Sequence, residues 1–231
     1  MLCVFAKPPD SGIVKTRLAE TLGQQSASRL AAAFLLDTWR AASRLEWARP
    51  ILATTQRSPF ERQLANLAES EVWLQGAGDL GQRLERILRR ALRHAPMALA
   101  IGSDTPGLPA GMLDRACDAL NSSEAVLGPC EDGGFYVIGL RRCPAGLLRD
   151  LPWSSSDTFH RTFRQLSRFG LRPAVLPSWF DIDRAPDLER LGQLLRRGET
   201  AAPETARALA ELSASDQGNA SQALAALAGD D

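Results

Sequence analysis

Short apolar runs rich in β-forming residues alternate along the chain with longer segments whose apolar positions recur at helical spacing. This alternation is the arrangement expected of successive βα units on a mostly parallel sheet. The chain is therefore predicted to be an α/β protein. The predicted strands are Leu2–Ala6, Ile51–Thr54, Glu71–Leu74, Ala98–Gly102, Ala125–Leu127, Phe135–Leu140 and Arg172–Leu176. The predicted helices are Gln24–Arg44, Pro59–Ala68, Leu80–His94, Ala110–Asn121, Asp157–Phe169 and Pro186–Arg197.

The pattern changes after about Gly198, where the sequence becomes rich in Ala, Glu, Ser and Gln and carries little apolar bulk. We predict one main domain over residues 1–198 and an accessory C-terminal tail over residues 199–231 that is weakly helical or disordered. The apolar positions that could form one or two weak amphipathic helices in the tail are Leu209, Leu212, Leu224 and Leu227.

Composition and charge exclude several classes of protein. Hydrophobic residues make up 45% of the 231 residues, and no apolar stretch approaches the roughly 20 residues of a membrane span. Lys plus Arg and Asp plus Glu number 27 each, so no overall field attracts nucleic acid, and any anion site must be local. We predict a cytoplasmic protein with reduced thiols and without a zinc site, and we leave homo-oligomer formation open. The cysteines are widely spaced: Cys3, Cys117, Cys130 and Cys143.

The segment that follows the first strand has the composition of a phosphate-binding loop. Gly12 allows the backbone to approach an anion closely, and Lys7, Lys15 and Arg17 place three cations beside the start of a helix. The segment matches neither G-x-x-x-x-G-K-[ST] nor G-x-G-x-x-G, so those two nucleotide-binding mechanisms are set aside. A polyphosphate fits this chemistry, and a solvated basic turn is the alternative.

Carboxylates follow two of the later predicted strands. Asp104 ends a strand of the buried type and is the leading candidate for a metal ligand, although it could instead cap a turn ahead of the next helix. The run Glu131-Asp132-Gly133-Gly134 separates two apolar strands. Its glycines would let the backbone lie flat against a ligand, and its carboxylates would accept hydrogen bonds. An Asp-Gly hairpin turn is the competing interpretation.

A third acidic cluster precedes the last predicted helix. Asp181 and Asp183 alternate with apolar residues, so an extended backbone would place both carboxylates on one side, where they could share a cation. Helix capping before Pro186 is the alternative for Asp183. Taken together, the acidic clusters and the basic loop favour Mg²⁺ or Mn²⁺ with phosphate oxygens.

The motifs in this order resemble those of a bacterial family of glycosyltransferases of GT-A fold. That family is associated with radical-SAM and selenium-related gene neighbourhoods and is often classified only as a domain of unknown function (DUF2064). The resemblance implies a three-layer α/β/α nucleotide-diphospho-sugar transferase fold. It rests on F-A-K-P-P-x-S-G-x-V-K-T-R-L at Phe5–Leu18, G-D-L-G-x-R at Gly78–Arg83, G-S-D-T-P at Gly102–Pro106, G-P-x-E-D-G-G-F-Y at Gly128–Tyr136, Trp153-Ser154-Ser155 and Asp181-x-Asp183.

The resemblance also implies roles for individual residues. Lys15 and Arg17 would hold a diphosphate, Asp104 would coordinate the metal, and Asp181 or Asp183 would complete its shell. The sequence is similar as well to nucleotidyltransferases with a late D-x-D-T-P-x-D-L segment. Here Arg184-Ala185 replaces the Thr-Pro of that segment, which leaves the role of Asp183 open.

Other residues are assigned to the substrate. By resemblance, Asp79 and Arg83 would line the donor pocket, with capping of the helix at Leu80 as the alternative for Asp79. From their side chains, Trp153 and Ser154 could position an acceptor through an aromatic face and a hydroxyl, with capping of the next helix by Ser156 or Asp157 as the alternative.

The predicted activity is metal-dependent glycosyl transfer from a nucleotide-diphosphate-sugar donor to an unidentified small acceptor. Lys15, Arg17 and Asp104 are the predicted catalytic residues. The alternatives are nucleotidyl transfer from an NTP to a phosphorylated acceptor and a nucleotide-binding module without turnover.

Overall fold

A computed structural model describes residues 1–12, 14–68 and 71–214 of the chain. Seven strands form one sheet in the order β3-β2-β1-β4-β6-β5-β7. β6 runs antiparallel to both of its neighbours, β4 and β5, and the other pairs are parallel. The strands are β1 (Leu2–Ala6), β2 (Pro50–Thr54), β3 (Val72–Leu74), β4 (Ala98–Gly102), β5 (Ala125–Pro129), β6 (Phe135–Leu140) and β7 (Pro173–Val175). This sheet confirms the predicted α/β class and its mostly parallel strands.

The helices differ from the prediction mainly in the first third of the chain. The segment after the basic loop forms a separate short helix that the apolar pattern did not reveal, because Leu18 is its one buried residue, and it ends at Gly23 (φ 80°). The helix predicted at Pro59–Ala68 is a 3-10 helix over Pro59–Gln63. The α-helices are α1 (Thr16–Leu22), α2 (Gln24–Ser43), α3 (Leu80–Ala91), α4 (Met112–Ser122), α5 (Thr158–Arg168) and α6 (Ala185–Arg196).

Alternating side chains of the central strand contribute to the two faces of the sheet. Leu2 and Val4 of β1 are fully buried in one apolar cluster, which contains residues of α2 and α4. Cys3 is fully buried in a second cluster with residues of α3 and α5. Helices therefore cover both faces of the sheet, and the three-layer α/β/α architecture is present.

A third apolar cluster joins the loops that follow the strands to the C-terminal segment. It contains Leu18 of α1 and Phe34 of α2, together with Phe180 and Ile182 from the segment before α6. Burying a side chain of this size contributes about 1.5–3 kcal/mol, so the cluster holds the basic loop and the third acidic segment together.

Part of the predicted C-terminal tail packs on this cluster. Residues 203–214 are helical, and Leu209 and Leu212 contact the cluster. The buried Asp37 of α2 accepts hydrogen bonds from the backbone N–H groups of Glu204 at 3.0 Å and Thr205 at 2.8 Å, and so satisfies free donors of that helix's first turn. The positions Leu224 and Leu227 lie outside the described residues.

In the part of the chain that the structure describes, no helix combines the length and the apolar character needed to cross a membrane.

Candidate functional site

An open cavity of about 870 Å³ lies where the loops that follow the strands meet. Its walls come from the loop after β1, the end of β4, the turn between β5 and β6, and the segment before α6. In open α/β sheets ligands bind in the crevice outside the carboxyl ends of the strands. The cavity occupies this position.

The basic loop is folded back and tethered before α1 begins. The Ser11 backbone N–H donates to the Pro8 carbonyl at 3.0 Å, and the Gln24 side-chain amide donates to the Gly12 carbonyl at 3.2 Å. Lys15 itself has a left-handed backbone conformation, with φ 48°. Such a conformation is uncommon outside glycine and clusters at functional sites. It starts α1 and places the Lys15 side chain in the cavity wall.

The Lys15 ammonium connects the basic loop to two of the acidic segments. Its Nζ lies 2.9 Å from Asp104 Oδ1 and 3.2 Å from Asp183 Oδ1, and it donates to the Ile182 carbonyl at 2.7 Å. The side chain is only 8% exposed. Burial lowers the pKa of Lys15, but the Asp104 and Asp183 carboxylates outweigh it and leave the pKa raised overall. Lys15 is therefore a charged group with three acceptors for its three N–H donors.

Arg17 strengthens the same contact from the solvent side. Its Nη1 donates to Asp183 Oδ2 at 3.1 Å, and its side chain is 55% exposed. An exposed pair of this kind contributes little stability, but it keeps the guanidinium beside Lys15 at the mouth of the cavity.

The third acidic segment is held in place by its backbone. The Ile182 N–H donates to the Asp104 carbonyl at 2.9 Å, and a parallel bridge joins Trp179 to Cys130. Ile182 is buried in the third apolar cluster, whereas Asp181 and Asp183 both line the cavity. The alternation seen in the sequence thus places both carboxylates on the cavity side.

Asp181 is the carboxylate with the most perturbed ionisation. Burial raises the pKa of Asp181 to about 6, and the negative charges of Asp104 and Asp132 add to this effect. The Cys130 thiol, whose Sγ lies 3.2 Å from Asp181 Oδ1, and the Lys15 ammonium act in the opposite direction without overcoming it. Burial is therefore the main reason that the charged form of Asp181 is disfavoured, and neither the thiol nor Lys15 offsets it.

These groups fit a divalent cation. One ligand atom each from Cys130, Asp132 and Asp181 lies within 4.8 Å of the other two, and Asp104 lines the same cavity. Carboxylate oxygens are the ligands that Mg²⁺ and Mn²⁺ prefer. Burial, followed by the charge of Asp181, raises the pKa of the Cys130 thiol, so this group is a hydrogen-bond donor to Asp181.

Residues 36–155 match the model of a protein family, DUF2064, described as an uncharacterized protein conserved in bacteria. The chain belongs to this family. No curated protein shows significant sequence similarity to the chain.

Solved structures share the fold of this DUF2064 member. A protein from Desulfovibrio desulfuricans G20, proposed to be a nucleotide-diphospho-sugar transferase, is 28% identical with a TM-score of 0.81, covering 92% of this chain and 94% of that protein. CMP:2-keto-3-deoxy-manno-octonic acid synthetase, solved with CTP, is 11% identical with a TM-score of 0.56, covering 86% and 98%. 4-diphosphocytidyl-2C-methyl-D-erythritol synthase from Anaerococcus prevotii DSM 20548 is 12% identical with a TM-score of 0.53, covering 85% of this chain and 96% of that protein. The last two show the fold alone, and together the comparisons confirm the nucleotide-diphospho-sugar transferase fold.

Several residues that the sequence assigned to the substrate also line the cavity of this family member. Lys7 and Arg83 add two cations to the wall, and Ser154, which has φ 58°, lies there with two further serines. The Arg83 Nε also donates to the Gly78 carbonyl at 2.8 Å, so the glycine-aspartate loop orients it.

Asp79 serves as a helix cap. Its carboxylate accepts from the Gln82 N–H at 2.8 Å, and the Gln82 side chain accepts from the Asp79 N–H at 3.0 Å, which forms a capping box at the start of α3. Asp79 is not among the residues that line the cavity, and its contacts are those of the capping alternative.

The turn between β5 and β6 contributes one of its four predicted residues to the cavity, namely Asp132. Glu131 instead forms a bidentate pair with Arg190 at 2.7 and 3.0 Å. Gly133 has φ 90°, and a Cβ there would lie 2.1 Å from the Ser156 carbonyl, while the Gly134 N–H donates to Asp132 at 2.8 Å. Gly133 therefore allows the turn to pack before α5, and neither glycine is among the residues that line the cavity, where we expected both to lie against a ligand.

Gly12 and Trp153 likewise lie outside the cavity lining. Gly12 has φ 100° and provides the reversal of the basic loop. The Trp153 ring would be 2.8 Å from a Cβ at Gly81 and meets the Phe135 ring edge-to-face at 6.1 Å. Trp153 thus packs the wall behind the cavity, which is a structural role.

Cys130 was missed as a site residue. A weak signal was present, because this cysteine directly precedes the Glu131-Asp132 pair, but only the backbone bridge to Trp179 brings it to Asp181.

Proposed function

We propose that this protein is a divalent-metal-dependent transferase that moves a sugar from a nucleotide-diphosphate donor to a small acceptor. One observation carries the proposal: the Lys15 ammonium of the basic loop contacts Asp104 and Asp183, which belong to two distant acidic segments, within one cavity. Cationic groups for a diphosphate and oxygen ligands for a metal are therefore adjacent.

The two kinds of group have separate tasks. Lys15 and Arg17, with Lys7 and Arg83 farther along the wall, bind the negative oxygens of the diphosphate. Asp104 and Asp181 would hold Mg²⁺ or Mn²⁺, with Asp132 or Asp183 as a further ligand. When bound, the cation neutralises charge that develops on the diphosphate oxygens as the bond to the anomeric carbon breaks.

The remaining chemistry is positioning. The αL conformation of Lys15 fixes its backbone at the start of α1, so that the side chain enters the cavity where it would meet the oxygens of the diphosphate. Ser154 and its neighbours offer hydroxyls that could orient an acceptor beside the donor.

The Desulfovibrio desulfuricans G20 protein supports sugar transfer over nucleotidyl transfer. It is proposed to act as a nucleotide-diphospho-sugar transferase and matches this chain along nearly its whole length. Nucleotidyl transfer is the second candidate, because the synthetase solved with CTP has the same fold, and an NTP would use the same cations. We further propose the cytoplasm as the compartment, in keeping with the four free cysteines among the described residues.

Measurements of ligand binding and of product formation distinguish sugar transfer from nucleotidyl transfer. Thermal shifts are measured with nucleoside diphosphates, NTPs and NDP-sugars, each with and without Mn²⁺, and reactions are assayed for free sugar and for pyrophosphate. Metal-dependent binding of an NDP-sugar with slow sugar release supports the proposal, and NTP preference with pyrophosphate release supports the second candidate. Metal-independent binding without any product would indicate a binding module and contradict both.

A matched pair of variants controls this experiment. Asp104→Asn removes a carboxylate from the cavity, whereas Asp79→Asn alters one that caps α3 outside it. We expect the first to abolish metal-dependent binding with little loss of fold and the second to retain it.

A further inference from the structure

The Lys15 ammonium lies between two acidic segments, where a divalent cation could otherwise bind. It contacts one oxygen of Asp104 at 2.9 Å and one of Asp183 at 3.2 Å. Both oxygens are also among the hard ligands that a divalent cation would seek in this wall. The buried ammonium thus occupies the space between two of the three carboxylates that the sequence assigned to the metal.

The remaining carboxylates are in a different state. Asp132 accepts from the Gly134 backbone N–H, and Asp181 accepts from the Cys130 thiol, so both have neutral donors. Within the described residues these two carboxylates form no ion pair, whereas Asp104 and Asp183 do. The direct ion pairs of Lys15 are therefore confined to one part of the wall.

A divalent cation that used Asp104 and Asp183 would meet the Lys15 charge at contact distance. Two cations cannot share those oxygens without strong repulsion in a partly buried site. Lys15 has a flexible four-carbon stem and a compact charge, so a diphosphate entering the cavity could attract its ammonium away from the carboxylates.

We infer that Lys15 is a built-in counter-cation that competes with the divalent metal in the ligand-free protein and yields its place when a diphosphate binds. This inference rests on the proposed function and adds an order to it: the metal binds weakly alone and tightly together with the nucleotide. Positive coupling between the two ligands follows, because each removes an obstacle to the other.

The test measures binding of Mn²⁺ alone, by the loss of the free-ion electron paramagnetic resonance signal, for the wild type, Lys15→Gln and Lys7→Gln. Lys7→Gln is the matched control, because Lys7 lines the same cavity and its removal changes the net charge equally. We expect Lys15→Gln to bind Mn²⁺ at least about fivefold more tightly than the wild type, within the usual range of coupling between ligands. Lys7→Gln should change the affinity by less than about twofold, as removal of a charge screened by solvent does. Equal or weaker affinity in Lys15→Gln, or an equal gain in both variants, overturns the inference.

A second measurement covers the case in which Lys15→Gln does not fold. Mn²⁺ affinity of the wild type is measured with and without saturating UDP or GDP, and tightening by at least about fivefold is expected. An unchanged affinity while the nucleotide is bound overturns the inference but leaves the proposed nucleotide site intact. Failure of the wild type to bind any nucleoside diphosphate with Mn²⁺ overturns the inference together with the proposed function.

Discussion

The acidic wall of the cavity has two parts. Both contain aspartates, but one part pairs with a cation and the other accepts hydrogen bonds from neutral donors. On the lysine side, Asp104 and Asp183 both pair with the buried Lys15 ammonium, and Asp183 also pairs with Arg17. On the thiol side, Asp132 and Asp181 have neutral donors, and the pKa of Asp181 is raised to about 6. A carboxylate at the carboxyl end of a strand is therefore not by itself a metal ligand: its state depends on which partner the fold brings to it.

This difference gives the two parts different tasks. The lysine side is stable without a ligand and connects the basic loop to the sheet. The thiol side keeps like charges close together, which stabilises nothing until a cation arrives. Apart from Asp104→Asn, we therefore expect substitutions on the thiol side to affect metal binding most.

On the thiol side, the largest effect is expected from Asp181→Asn. Loss of this carboxylate should weaken Mn²⁺ binding on the order of 100-fold, because even residues that only support a ligand commonly contribute 10- to 100-fold. Titration calorimetry in the presence of a nucleoside diphosphate measures it. Asp79→Asn, which alters a capping carboxylate outside the cavity, should bind as the wild type does. A loss of similar size in both variants would show that the effect does not depend on a carboxylate in the cavity.

The next effect is a pH dependence that belongs to the thiol side. Because the pKa of Asp181 is about 6, protons compete with the cation below that pH, and affinity should fall by up to about tenfold per pH unit between pH 6 and pH 5. Mn²⁺ titrations from pH 5 to pH 8 measure the midpoint. An affinity that stays constant across pH 6 in the wild type would show that Asp181 does not bind the metal as a carboxylate.

The stability of the metal-free protein should depend on pH in the opposite way, because the native state without a metal favours the protonated form of Asp181. The native pKa of Asp181 lies above the ordinary value of 3.8, so the native state binds a proton more tightly, and the free energy of unfolding falls as pH rises through about 6. Asp181→Asn should therefore stabilise the metal-free protein at pH 8, by up to about 3 kcal/mol. The gain should vanish near pH 4. Urea unfolding at both pH values tests this, and destabilisation at pH 8 would contradict it.

The smallest effect is expected from Cys130→Ala. The thiol hydrogen bond lowers the pKa of Asp181, so its loss should move the midpoint of the Mn²⁺ pH profile upward, by about one unit or less. Cys130→Ser retains a donor and should leave the midpoint near that of the wild type. If the midpoint of the pH profile shifts equally in both variants, the shift comes from packing and not from the hydrogen bond.

Much of the fold could be predicted from the sequence because its signals are local. Each predicted strand is a short apolar run, and all seven form one sheet. The antiparallel position of β6 between β4 and β5 has no local signal. An apolar run such as Phe135–Leu140 predicts a strand but not whether that strand runs parallel or antiparallel to its neighbours. Helix α1 was missed for the related reason that it buries one residue.

The candidate site was predictable only in part. Residue type and position after a strand indicated Lys15, Asp104 and Asp181, which the structure brings to one cavity. The partners of these residues depend on long-range contacts. Nothing in the sequence shows that Asp183 contacts Lys15, that Glu131 pairs with Arg190, or that Asp187 rather than Asp183 accepts from the N–H groups before α6.

Crystals grown with Mn²⁺ and a nucleoside diphosphate provide the most direct test of the central claim, through the position of the anomalous signal of the metal. The account predicts one strong peak about 2.1 Å from carboxylate oxygens of Asp104 and Asp181, with Lys15 turned towards the diphosphate. A bound diphosphate with no metal at these carboxylates, or with Lys15 still between Asp104 and Asp183, would contradict it.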